Sequence, residues 1–173
     1  MEREARYEIV DARETKLSDV LDTCLQSSGV PPGEYGRARY LKRGAFRKVV
    51  ALFEGTPVGQ VEFSPVEETP LPVRGSDLVA VSCVWVLRDH IRRGLGDSLM
   101  EVAEREARES GRKGLCTLAF DDALDWMQKG WFEKRGFTIV DSADTGRRHF
   151  GRAIHAYLLW KPLAPEATRP EID

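Results

Sequence analysis

Cysteine is scarce in this 173-residue chain, and the three present, Cys24, Cys83 and Cys116, form no CxxC pair. Such a set supports neither a disulfide framework nor a zinc site. Histidine is as rare. His90, His149 and His155 stand at no metal-ligand spacing such as HExxH, so no metal is expected. No apolar run approaches the ~20 residues that cross a bilayer, and the opening MEREARYEIV carries charges where a secretory signal holds its apolar stretch. The expectation is a cytoplasmic protein with no membrane partner. An excess of one charge is also missing, since 26 Lys and Arg face 28 Asp and Glu for a net charge of −2. That balance argues against a protein built mainly to neutralise nucleic-acid phosphates, so no nucleic-acid partner is expected; it leaves room for a local basic patch.

What is present fits one globular domain, with 42% hydrophobic and 31% charged residues. A chain of this length buries roughly 70% of its unfolded surface and needs no staple. A single domain is expected over 1–163 and a loose tail over 164–173, because PLAPEATRPEID from Pro162 onward holds three prolines and few large apolar residues. Along the domain, RYEIVDA (6–12) alternates as a strand. Leu17, Val20, Leu21 and Cys24 fall at helical spacing, 27–36 is a loop, and 37–46 is a short helix. Val49–Phe53 and Val58–Phe63, joined through Gly55, make a hairpin. Leu78–Leu87 is a nearly continuous apolar strand, as expected where both faces are buried. Leu95, Leu99, Val102, Ala103 and Ala107 stripe a helix over 95–111, with Glu101–Arg105, Glu104–Arg108 and Glu109–Lys113 spaced as i,i+4 pairs. A strand over 115–120, a helix over 122–135 and strands over 137–140 and 156–160 follow. This order reads as α/β or α+β, one sheet flanked by helices.

The most informative stretch joins the apolar strand to the striped helix through Arg88-Asp89-His90-Ile91-Arg92-Arg93-Gly94-Leu95-Gly96-Asp97-Ser98. A strand running through a basic, glycine-bearing turn into a helix start gathers free N–H groups at the positive end of a helix, which is an anion site. Gly94 and Gly96 remove side chains that would keep a phosphate from the main chain. The Rossmann fingerprint fails at Leu99, and no GxxxxGK is present. A plain tight turn feeding an amphipathic helix fits the same GxG.

VWVLRDHIRRGLGDSLMEVAEREARESG (84–111), followed later by WFEKRGFTIVD (131–141), resembles the GNAT superfamily of acyl-CoA-dependent N-acyltransferases. Its signature is an apolar strand ending in Val, a (Q/R)xxGx(G/A) turn, an amphipathic helix and a later Y-x-K-x-GF element. Val86, the turn glycines 94 and 96, and Phe132-Glu133-Lys134-Arg135-Gly136-Phe137 take those places. GQVEFSP (59–65) and SCVWV (82–86) resemble a bacterial and archaeal branch. The chain departs from the pattern twice, with Ile91 at the first (Q/R) and Phe132 where relatives carry a tyrosine proposed to protonate the leaving thiolate. The resemblance implies a mixed, mostly antiparallel twisted sheet of about six or seven strands flanked by helices. It implies acetyl-CoA as co-substrate, lying in the splay between the strand ending at Val86 and strand 115–120, with pyrophosphate on the turn from Arg92 to Ser98 and Phe132 packed against the cofactor. The acceptor is a small-molecule or peptide amine, and a homodimer is an open alternative. A non-catalytic acetyl-CoA sensor is the rival reading.

Acetyl transfer to an amine needs a polarised carbonyl, a route for the amine proton and release of a thiolate. The backbone around Trp85–Val86 is assigned the first task. Glu62, a carboxylate in an apolar strand, is the first candidate base, against a solvent-facing strand position. Cys83 stands where some relatives place a general base and could serve as base or acyl acceptor, against a small buried hydrophobe; Ser82 could orient water. His90 fits a solvated loop. Asp121, Asp122 and Asp125 either attract a cationic amine or solvate a helix start, and Trp126 and Trp131 either cover the pantetheine arm or belong to the core.

Overall fold

A type I′ hairpin turn needs positive φ at both of its central residues, and Glu54 and Gly55 supply it with φ of 49° and 81°. They join β2 (Arg47–Phe53) to β3 (Thr56–Pro65). The structure is a computed structural model describing residues 7–14 and 44–173. The expected helix at 17–24 and loop at 27–36 lie outside the described residues, as does 37–46 except for its last three residues, none of which is helical. β1 (Tyr7–Asp11) pairs antiparallel with β2. The described chain forms two compact units, one of 7–14, 44–63 and Cys83–Ala103, the other of Ser64–Ser82 and Glu104–Asp173.

The remaining elements are β4 (Val73–Arg74), β5 (Leu78–Val86), α1 (Leu95–Glu109), β6 (Gly114–Phe120), α2 (Lys129–Glu133), β7 (Thr138–His149), β8 (Arg152–Pro162) and β9 (Glu171–Ile172). Seven strands form a mixed, mostly antiparallel sheet in the order β1-β2-β3-β5-β6-β8-β7, as expected for an α/β fold. Leu78–Val81 of β5 pairs parallel with Gly114–Thr117 of β6, and a parallel pair needs a crossover, which α1 provides. Leu95, Leu99, Ala103 and Ala107 are buried along α1 as the stripe requires. The helix stops in a Schellman arrangement, in which Gly111 at φ 73° lets its own N–H donate to Arg108 O and that of Arg112 to Ala107 O. Glu104 pairs with Lys161 instead of Arg108.

Two segments differ from expectation. The helix expected over 122–135 is helical only from Lys129 to Glu133. Asp122 Oδ1 accepts from the Gly130 N–H at 2.8 Å, which satisfies a first-turn donor and fixes the start there, while Phe120 N donates to Met127 O at 2.8 Å and closes the stretch before it as a loop. The tail is not loose. β9 pairs with β4, Asp173 N donates to Pro72 O at 3.0 Å, and Ile172 packs on the cluster of Val66, Val73, Leu78, Ala80, Cys116, Leu118 and Leu158. One isoleucine and one strand bridge give the end an apolar anchor that its prolines conceal. Among the described residues no helix is long and apolar enough to cross a membrane.

Candidate active site

The turn after β5 begins with a 3-10 segment (Arg88–His90) and then takes φ of 61° at Arg92 and 75° at Gly94. Those two left-handed residues reverse the chain into α1. Ser98 N donates to Gly94 O at 3.0 Å as the first helical bond, so the N–H groups of Arg92, Arg93, Gly94, Leu95 and Gly96 have no main-chain acceptor among the described residues. Arg92, Arg93, Gly94, Asp97 and Ser98 are exposed, Gly96 is half-buried, and Leu95 is buried as the first residue of the stripe. A Cβ on Gly94 would meet nothing within 4 Å, so what requires glycine there is its φ and not its packing. His90 is not a solvated loop residue. Its Nδ1 bonds to the Tyr7 hydroxyl at 3.0 Å, and its ring lies 5.0 Å from that of Phe53.

The end of β5 presses against β3. Leu87 N donates to Val58 O at 2.8 Å. Since N–H groups alternate sides along a strand, that of Val86 points away from β3. A Cβ on Gly59 would lie 3.1 Å from Trp85 O, 3.3 Å from Val86 Cγ2 and 3.4 Å from Leu99 Cδ1, so glycine there permits the close approach. Gly59 therefore faces α1, and Gln60 and Glu62, of opposite parity, face the other side.

On that other side lies a buried polar network. Lys48 Nζ donates to Gln60 Oε1 at 2.8 Å and to Glu62 Oε1 at 3.2 Å. Gln60 Nε2 donates to Glu62 Oε1 at 3.2 Å and to Cys83 Sγ at 3.3 Å. Glu62 is 3% exposed, which excludes the solvent-facing reading, and the Lys48 side chain is fully buried. An ion pair this deep is stable only when its remaining lone pairs and protons are matched, a task that Gln60 shares. Sequence reasoning found Glu62 and Cys83 and missed Lys48 and Gln60. The available signal was a lysine inside the apolar run Arg47–Phe53, opposite the strand carrying Glu62.

Phe132 is 1% exposed and packs edge-on against Trp131 and Phe137, with centroids at 4.9 and 5.4 Å. It is a core aromatic, and the expected stacking on a cofactor finds no exposed ring face. Asp121 accepts from the Tyr157 hydroxyl at 2.9 Å, and that bond, with burial, holds the phenol above its usual pKa. Asp121 and Asp122 thus serve local structure. Trp126 stacks on Phe120 at 5.3 Å, and the Arg135 guanidinium sits 3.6 Å over Trp131. Burial pushes the Cys116 thiol up to about 12, which leaves it a small hydrophobe. Among the described residues no cluster of three or more His, Cys, Asp or Glu could hold a metal.

The profile of the Acetyltransferase (GNAT) family matches residues 16–137, which takes in the hairpin, β5, the turn and α1. The chain belongs to the GNAT acetyltransferase family. Over 84 residues it is 26% identical to the uncharacterized N-acetyltransferase YoaP of Bacillus subtilis (strain 168), a match covering 48% of this chain and 34% of that protein. The chain thus spans about a third of the length of this curated relative. Among solved GNAT structures, the ribosomal-protein-S18-alanine N-acetyltransferase from Escherichia coli superposes with a TM-score of 0.69 at 14% identity, covering 95% of this chain and 98% of that one. A GNAT family acetyltransferase from Elizabethkingia anophelis with acetyl-CoA bound superposes at 0.63 and 16% identity, covering 91% and 98%. At these identities the likeness is one of fold.

Proposed function

We propose that this GNAT protein moves an acetyl group from acetyl-CoA to a primary amine by direct attack of the amine on the thioester carbonyl. The observation carrying this reading is the run of five unengaged N–H groups from Arg92 to Gly96, directly after a strand whose Val86 N–H is turned away from β3. Such donors fit a pyrophosphate and a developing oxyanion respectively. Arg92 and Arg93 add charge from exposed positions, and Trp85 Nε1, buried without a partner among the described residues, is a further donor of the kind a bound ligand satisfies.

In the reaction a C–N bond forms, the C–S bond breaks, and the amine gives up a proton. Val86 N–H polarises the carbonyl, and the turn amides hold the diphosphate in place. Glu62 takes the amine proton, with Lys48 and Gln60 fixing its carboxylate. Cys83, already receiving a hydrogen bond from Gln60, is the alternative acceptor. Phe132 has no proton to give, so the leaving thiolate is protonated by water. That same absence favours a second reading, an acetyl-CoA sensor without turnover.

Free-thiol release tested across polyamines, aminoglycosides, amino acids and lysine peptides separates the two. At least one amine is expected to raise release above background hydrolysis. Glu62→Gln, checked for a cooperative melt, is expected to lower kcat by roughly 100-fold or more. An unaltered kcat would transfer the base role to Cys83 or water, and acetyl-CoA binding with no release for any amine would favour the sensor.

A further inference from the structure

The outer half of the β7–β8 hairpin has a composition that folding does not require. From Asp141 to Arg152 every residue except Thr145 is exposed, so both faces of the ribbon meet solvent. The turn is Phe150-Gly151, with φ of 46° and 77°, between the paired residues His149 and Arg152. The β2–β3 hairpin makes the same turn with Glu54-Gly55. Left-handed backbone suits glycine, asparagine or aspartate, and a bulky aromatic is strained there. Phe150 is also 94% exposed, with the ring of His149 beside it, 4.5 Å between centroids. An aromatic at this place costs both strain and exposed apolar surface, whereas a solvated turn needs neither.

Arginines flank the turn on both faces of the ribbon, since Arg152 opposes His149 while Arg148 opposes Ala153 and so takes the other face. Arg147, Arg148 and Arg152 are exposed, and none of them has a carboxylate partner among the described residues. Asp144, the acid preceding them in sequence, is engaged through Oδ1 with the Gly146 N–H at 2.8 Å. Thr145 Oγ1 donates to Ile154 O at 2.7 Å and accepts from Arg147 N at 3.2 Å, so the backbone under the arginines is tied across the strands.

We propose that this hairpin tip binds single-stranded RNA crossing the end of the hairpin, with phosphates on the guanidinium forks of both ribbon faces and a base stacked on Phe150. Arginine forks match phosphate oxygens in pairs, and an exposed ring stacks any base, which together form the usual composition of a single-strand site. An acidic peptide would use the arginines but has no π face for the ring, and a bilayer would find one apolar side chain among three charges. The chain's net charge of −2 confines the site to this local patch.

The test is fluorescence anisotropy of a labelled 12-nucleotide oligouridine against the full chain at low salt. Binding is expected, with log affinity falling against log salt at a slope of about −2 for three phosphate contacts on a single strand. Phe150→Ala is expected to weaken it roughly tenfold, Phe150→Tyr to preserve it, and Arg148→Ala to make the slope shallower by about one contact. All three variants should leave the acetyl-CoA thermal shift unchanged, so failure here is separate from failure of the acetyl-transfer reading. No binding at low salt would overturn the proposal. So would an unaltered affinity of Phe150→Ala with polyglutamate competing equally, which marks an acidic-peptide surface, or binding to phosphatidylserine vesicles in place of RNA.

Discussion

Lys48→Met is expected to lower folding stability by about 3–5 kcal/mol, because it removes one partner of a buried ion pair, the ammonium 3.2 Å from Glu62 Oε1. For a chain of this length that is a fall in Tm of roughly 6–20 °C. Lys48 Nζ is also the donor that fixes Gln60 Oε1 at 2.8 Å, so the substitution orphans an amide as well. The double variant Lys48→Met, Glu62→Gln is expected to recover at least half of the loss. It removes the buried charge, and the new amide supplies Gln60 Oε1 with a donor while still accepting from Gln60 Nε2. Paired thermal and urea melts of the single and double variants measure this. Additive losses would show that the two side chains are not energetically coupled.

The second large effect concerns the turn. Gly94→Val places a β-branched residue at φ 75°, which its backbone sterics oppose at a cost of about 1–3 kcal/mol. Because a Cβ there meets nothing within 4 Å, the strain is relieved by turning the local backbone and not by disturbing the core. The N–H groups of Arg92 to Gly96 then no longer converge. Loss of two hydrogen bonds to a charged group, about 1.5–3 kcal/mol each, corresponds to at least a 100-fold weaker Kd for acetyl-CoA. Arg93→Ala removes an exposed charge and is expected to cost less than tenfold, with a larger effect at low salt. Isothermal titration on variants with cooperative melts decides between them. A Gly94→Val protein that folds and binds normally, beside an Arg93→Ala protein that does not, would make the site a side-chain clamp.

The parts of this architecture that were legible in the sequence carry strong periodicity. The α1 stripe, the apolar runs of β5 and β6 and the glycine punctuation of the first hairpin all lie where their spacing put them. What escaped was held by backbone pairing or by long-range register. The outer β7–β8 ribbon, exposed on both faces, shows no apolar alternation, so only its inner ends were read as strands. The Lys48–Glu62 pair depends on a bulge. Beyond the turn, Phe53 opposes Thr56 and Leu52 opposes Pro57, a register that would set Lys48 opposite Val61. The irregularity between Ala51 and Leu52 shifts the strand by one residue and brings Lys48 opposite Glu62. A one-residue slip exchanges the two faces of a strand, and nothing local in RKVVALF announces it.

Acetyl-CoA binding at the turn between β5 and α1 is common to the acetyl-transfer and the sensor readings. The most direct measurement is the thermal melt of the full chain against acetyl-CoA, with NAD and ATP as controls. At about 100 times Kd, linkage adds about 2.7 kcal/mol, which for this chain length raises Tm by roughly 5–11 °C, and the two controls should produce no comparable shift. An unchanged Tm at millimolar acetyl-CoA would contradict both the acetyl-transfer and the sensor readings.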